Sequence, residues 1–168
     1  MRISQVLSIL VLYGGVFAID LRQKGVDCEV DIVGIAPSLI GAEYGWLKVH
    51  GYLDKEKPAD KQKYYELLSN ARLFVNTTPG WSGFQALLEA MYFHNPIVVR
   101  PNESLSSYFS NLAAIAYVLE DAGPSLEDIL FGSLTETEEY QQMSIASRKS
   151  VEPSTWDNFT DEIIGLLR

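Results

Sequence analysis

Apolar residues come in short dense runs separated by polar, glycine-rich or charged stretches, and the spacing inside each run sets the element it predicts. Val6–Leu12 is a nearly continuous apolar run, as expected for a strand covered on both faces. Asp27–Gly34 alternates and then turns apolar, predicting a second strand that ends at Gly34, and Leu47–Tyr52 predicts a short strand running into a Gly turn. Leu73–Val75 and Ile97–Val99 are two further buried runs, and Ile115–Leu119 a last short one. Between them the period changes to that of a helix. Tyr64, Tyr65, Leu67, Leu68 and Ala71 make one apolar face, and Phe84, Leu87, Leu88 and Met91 make another.

Phe74–Arg100 is the central unit of this pattern: strand, Gly/Thr/Pro turn, amphipathic helix, and a second strand reached through Asn95-Pro96. It predicts a βαβ crossover whose loop lies at the carboxyl end of a strand, where parallel sheets bind ligands. Ser82 is placed to cap the helix, whose free N–H groups and dipole suit an anion such as a diphosphate. Leu105, Tyr108 and Phe109 predict a short helix beyond the Pro101-Asn102-Glu103 loop. Ser125–Leu130 and Thr135–Arg148 predict two more, the latter acidic at its start and basic at its end. The charged run Asp54-Lys55-Glu56-Lys57 reads as an exposed turn. The predicted fold class is α/β, a Rossmann-like three-layer α/β/α domain with a mainly parallel sheet, and the 168 residues fit one domain.

The first twenty residues admit two readings. Arg2 followed by apolar residues and then Gly14, Gly15 and Ala18 resembles a signal peptide. The other reading is a strand turning at Gly14-Gly15 into a helix over Val16–Lys24 that Gly25 ends, and this helix runs through the would-be cleavage site. The run is too short and too interrupted by glycine for a membrane span.

Composition narrows the partners. Hydrophobic residues make up 47% and charged residues 21%, a globular balance. A net charge of −9 argues against broad nucleic-acid or anionic-membrane binding and leaves room for a local basic pocket. Cys28, the single cysteine, fits a buried thiol in a reducing, cytoplasmic setting, and with two separated histidines it makes a His/Cys metal site improbable.

Leu87-Leu88-Glu89-Ala90-Met91 followed by Pro96-Ile97-Val98 resembles the C-terminal, donor-binding domain of retaining GT-B glycosyltransferases (glycosyl transferases group 1, family 4). Val33-Gly34, the LKVHGY strand and the Trp156 stretch from Ser154 to Leu167 are similar to the same family's pattern. The resemblance implies a nucleotide-diphosphate sugar, UDP- or GDP-linked, as donor substrate, with no further cofactor and no metal. It implies that Glu89 holds the donor ribose hydroxyls. Gly14, Gly15, Gly34, Thr78, Trp81, Ser82 and Gly83 are the implied donor-site positions. It also implies an acceptor-binding N-terminal domain or partner subunit, and a role in saccharide biosynthesis.

Two positions depart from the family pattern. The glutamate that faces the donor sugar falls on Trp81, or on Ser82 with a shift of one, and neither supplies a carboxylate. The first loop, Tyr13-Gly14-Gly15, lacks the family's basic pair. Glu103 is the speculative catalytic carboxylate in compensation, with Asn102 and Ser104 beside it as loop candidates. Trp81 either stacks on a ring of the donor or fills the space of the missing carboxylate, and His50 is either a ligand contact or a packed residue. Three readings therefore stand: a donor domain, a non-catalytic GT-B-like module working through a partner, and a sugar-nucleotide enzyme of similar architecture such as an epimerase.

Overall fold

The structure is a computed structural model that describes residues 7–12, 28–40, 44–76, 84–101, 103–119, 123, 125, 126, 128, 129, 138–155 and 158, with backbone alone for 7–12. Ten elements set the frame: β1 (Leu7–Leu12), β2 (Cys28–Val33), β3 (Leu47–Val49), α1 (Pro58–Asn70), β4 (Leu73–Asn76), α2 (Phe84–Tyr92), β5 (Ile97–Val99), α3 (Glu103–Tyr108), β6 (Ala116–Val118) and α4 (Glu138–Val151).

The strands form one sheet in the order β3-β2-β1-β4-β5-β6, and every pairing is parallel. From β1 the chain builds outward through β2 and β3, then returns to the other side of β1 for β4, β5 and β6. That reversal opens a crevice at the carboxyl ends of the strands.

The dense apolar runs of the sequence follow from burial on two faces. Phe74, Ile97 and Val99 belong to one apolar cluster, with Tyr64 and Leu68 of α1 and Leu87, Ala90 and Met91 of α2. Their strand neighbours Leu73, Val75 and Val98 point the other way, into a second cluster with Cys28, Val30, Ile32 and Ile129. Each such aliphatic side chain contributes about 1.5–3 kcal/mol on full burial. Cys28 is a buried thiol, in agreement with the sequence reading.

Helix ends explain the remaining local choices. Pro58 opens α1 with Asp60 in its first turn, where a missing N–H and a negative charge both suit the helix start. The buried Asn95 donates from Nδ2 to the Leu68 carbonyl (2.7 Å), satisfying an acceptor that the end of α1 leaves open. α2 closes in a Schellman arrangement: Asn95 N–H bonds Ala90 O (3.1 Å), His94 N–H bonds Met91 O (3.0 Å), and His94 sits at φ 65°. Ser125 and Asp128 cap each other reciprocally, and Leu126, Asp128 and Ile129 are helical as the sequence predicts.

Some predicted bounds move. The third strand ends at Val49 rather than Tyr52, because Gly51 at φ 72° takes the chain out of extended geometry. The helix expected over Thr135–Arg148 spans Glu138–Val151, its inner face carrying Met143, Ser147 and Val151. Glu103 is the first residue of α3 rather than a loop residue. The predicted Val16–Lys24 helix, the Trp156 stretch apart from Ser154, Thr155 and Asn158, and Gly14, Gly15, Thr78, Trp81, Ser82, Gly83 and Asn102 lie outside the described residues.

Candidate functional site

A cleft of about 490 Å³ opens at the carboxyl end of the sheet, lined by Val33, Gly34, Tyr52–Glu56, Tyr64 and Ala86. Backbone chemistry builds its floor. β2 ends at Val33, and Gly34 turns away at φ 95°, its N–H donating to the Gly51 carbonyl (2.8 Å). Both turns take positive φ, which glycine adopts without the penalty that a Cβ brings. The Val33-Gly34 dipeptide thus has a local physical reason to be there.

The cleft's rim is polar. Asp54 begins the turn before α1: its Oδ1 accepts the Glu56 N–H (3.0 Å) and its own N–H donates to Asp60 (3.2 Å). This fixes the turn, so Lys55 projects toward α2. Lys55 Nζ donates to both oxygens of Glu89, at 2.7 and 2.8 Å. The Tyr64 hydroxyl donates to Oε2 of the same carboxylate (2.9 Å), and Gln85 makes a long contact to Oε1 (3.5 Å). Lys55 Nζ also lies 4.8 Å from the centre of the Tyr64 ring, within cation–π range.

Tyr64 is 3% exposed. Burial first, and then the charge and hydrogen bond of Glu89, hold its phenol well above the ordinary value, so it stays a neutral donor. The outcome is an oriented, charge-compensated carboxylate that keeps partial contact with solvent, its side chain 18% exposed.

The sequence-predicted site residues divide clearly. Gly34 lines the cleft, and Glu89 stands directly behind Lys55 and Tyr64, which form the wall in front of it. Ala86, nearly one helical turn before Glu89, lines the cleft itself. Glu103 is exposed and is not among the described residues that line the cleft. His50 proves to be the packed alternative: its Nε2 donates to Asp31 Oδ1 at 2.6 Å, with side chains 12% and 8% exposed.

Sequence reasoning missed Lys55, Tyr64, Asp54 and Tyr52. The charged run is the exposed turn that was expected, yet Lys55 leaves it to pair with a helix more than thirty residues away. Its position just past a strand-ending glycine was the available signal. Tyr52, 78% exposed, offers an aromatic face at the cleft mouth. Among the described residues no group of His, Cys, Asp and Glu could hold a metal ion, and no helix is long and apolar enough to cross a membrane.

No profile of a known protein family matches the sequence, and no curated protein matches it. Solved structures do. The chain is similar to Anabaena Alr3699/HepE in complex with UDP-glucose, with TM-score 0.68 and 15% identity over 97% of this chain and 49% of that one. It is similar to WaaG, a glycosyltransferase involved in lipopolysaccharide biosynthesis, with TM-score 0.63 and 16% identity over 94% of this chain and 45% of that one. It is also similar to the catalytic domain of cholesterol-alpha-glucosyltransferase from Helicobacter pylori, with TM-score 0.59 and 18% identity, covering 89% of this chain and 99% of that one. The chain spans less than half the length of HepE and WaaG. At these identities the likeness establishes the fold: a Rossmann-like domain of the GT-B kind.

Proposed function

We propose that the chain is the donor-binding domain of a retaining GT-B glycosyltransferase, all 168 residues forming one nucleotide-sugar-binding domain. The observation that carries this reading is Glu89. Its carboxylate is held by Lys55 and Tyr64, two residues that line the cleft beyond Val33-Gly34, and parallel sheets of this kind bind ligands at that end of their strands. A carboxylate only accepts hydrogen bonds, and a ribose presents two adjacent hydroxyl donors, so the two are complementary.

In this reading the base and ribose of a UDP- or GDP-sugar occupy the cleft beside Gly34, with Glu89 taking the ribose. The family resemblance assigns Gly14, Gly15, Thr78, Trp81, Ser82 and Gly83 to the diphosphate and sugar. The acceptor is held by a second domain or a partner subunit across the donor, and transfer requires both. HepE, a structural neighbour, is described in complex with UDP-glucose, which favours uracil as the first base to test.

A second reading, a non-catalytic GT-B-like module acting through a partner protein, is favoured by Trp81 and Ser82, which stand where the family pattern has a carboxylate. One experiment separates them. Calorimetric titration with UDP, GDP and ADP, each free and as a sugar conjugate, should show saturable binding of one nucleotide. A chain that is folded by circular dichroism and binds none of the panel contradicts the donor reading and leaves the second.

A further inference from the structure

We propose that Lys55 is a specificity-determining residue of the cleft, which competes with a ribose for Glu89 and, once displaced, serves the phosphate of the same ligand. The inference rests on the donor-domain reading above and deepens it.

The argument begins with acceptor capacity. A carboxylate has about four lone-pair sites. On Glu89, Lys55 occupies one on each oxygen, Tyr64 occupies another on Oε2, and Gln85 approaches Oε1. A ribose diol brings two further donors, so it gains Glu89 only if a resident donor leaves.

Burial and attachment decide which one. Tyr64 is buried on α1, its ring packed in the core beside Leu68 and Leu87. Lys55 sits on a turn outside any helix, on a flexible four-carbon stem, and its side chain is 39% exposed. Lys55 yields and Tyr64 stays. Lys55 also lines the cleft while Glu89 stands behind it, so an incoming ligand meets the ammonium before the carboxylate.

The displaced ammonium needs a new anion. Asp54 and Glu56 are its neighbours on the rim, but Asp54 is engaged by the Glu56 N–H and by Lys57 (3.4 Å). A ligand phosphate is the stronger partner, since hydrogen bonds between two charged groups exceed neutral ones. A neutral nucleoside therefore displaces Lys55 without compensation, whereas a nucleoside diphosphate returns an anion to it. Lys55 thereby adds to the cleft's discrimination of phosphorylated ligands from free nucleosides.

The test compares uridine with UDP, and guanosine with GDP, on the wild-type chain, Lys55→Met and Lys55→Arg by calorimetry. The wild type should prefer the diphosphate. Lys55→Met should narrow that preference by about tenfold, the worth of one charge-assisted hydrogen bond. It should bind the nucleoside as tightly as wild type or more so, and Lys55→Arg should restore the preference. If Lys55→Met changes nucleoside and diphosphate affinity by the same factor, or neither, the inference is overturned and the donor reading stands. If the folded wild type binds none of the four, both are overturned.

Discussion

Asp31–His50 and Glu89–Lys55 are both carboxylate–base pairs near the carboxyl end of the sheet, and they differ in what surrounds them. Asp31 and His50 join β2 to the residue that follows β3, with side chains 8% and 12% exposed. Glu89 and Lys55 join a helix to a turn, at 18% and 39%. A buried pair is costly to break, because the survivor is left without water or partner, while an exposed pair contributes little net stability. The first pair therefore locks the edge of the sheet, and the second is able to exchange partners. Position along the chain does not distinguish them; solvent does.

The largest effect should come from the buried pair. Asp31→Ala should lower the unfolding free energy by about 3 kcal/mol, read as a shift of the urea midpoint at constant slope. A loss below about 1 kcal/mol would place Asp31–His50 in the same class as Glu89–Lys55.

Tyr64→Phe comes next, with an expected loss of about 1 kcal/mol from the missing hydrogen bond to Glu89. It carries a pH signature as well. The folded phenol titrates above its ordinary value of 10.0, chiefly through burial. The unfolded chain gives up that proton first, so the stability Tyr64 adds is whole below pH 10 and declines as pH rises beyond it. Urea midpoints measured from pH 9 to 11 should fall less steeply for Tyr64→Phe than for wild type. Parallel curves would remove Tyr64 as the group responsible.

Glu89→Gln should move stability by less than about 1 kcal/mol, since the pair it disrupts is solvent-screened. A larger loss would mean that Glu89 is a structural anchor, and would erase the contrast with Asp31. The smallest effect is at His94, a non-glycine residue at φ 65°. His94→Gly should stabilise the protein by roughly 0.5 kcal/mol, relief of left-handed strain offset by a more flexible unfolded chain.

What was legible in the sequence follows the same division between local and distant. Val98, flanked by Ile97 and Val99, announces a strand buried on both faces, and Leu87 with Met91 announces the inner face of a helix, because these signals lie within one element. Val33-Gly34 and Glu89 were singled out through a family resemblance; Val33 and Gly34 line the cleft, and Glu89 bonds Lys55 and Tyr64, which line it too. Lys55 was hidden because its partner is on another element, and a run of four charges looks the same whether solvated or reaching inward. Tyr64 was read as apolar surface, which its ring is; its hydroxyl acts at the far end of the side chain. His50 was open between ligand and core, and only the placement of Asp31 on the adjacent strand decides it.

The most direct test of the account is a UDP titration of the wild-type chain beside Glu89→Ala and Glu89→Gln, with all three shown to be folded. The account predicts saturable binding by wild type and a loss of at least about tenfold in both variants, the value of hydrogen bonds to a charged group. Equal affinity in all three would contradict it, because the carboxylate that Lys55 and Tyr64 hold would then have no part in binding.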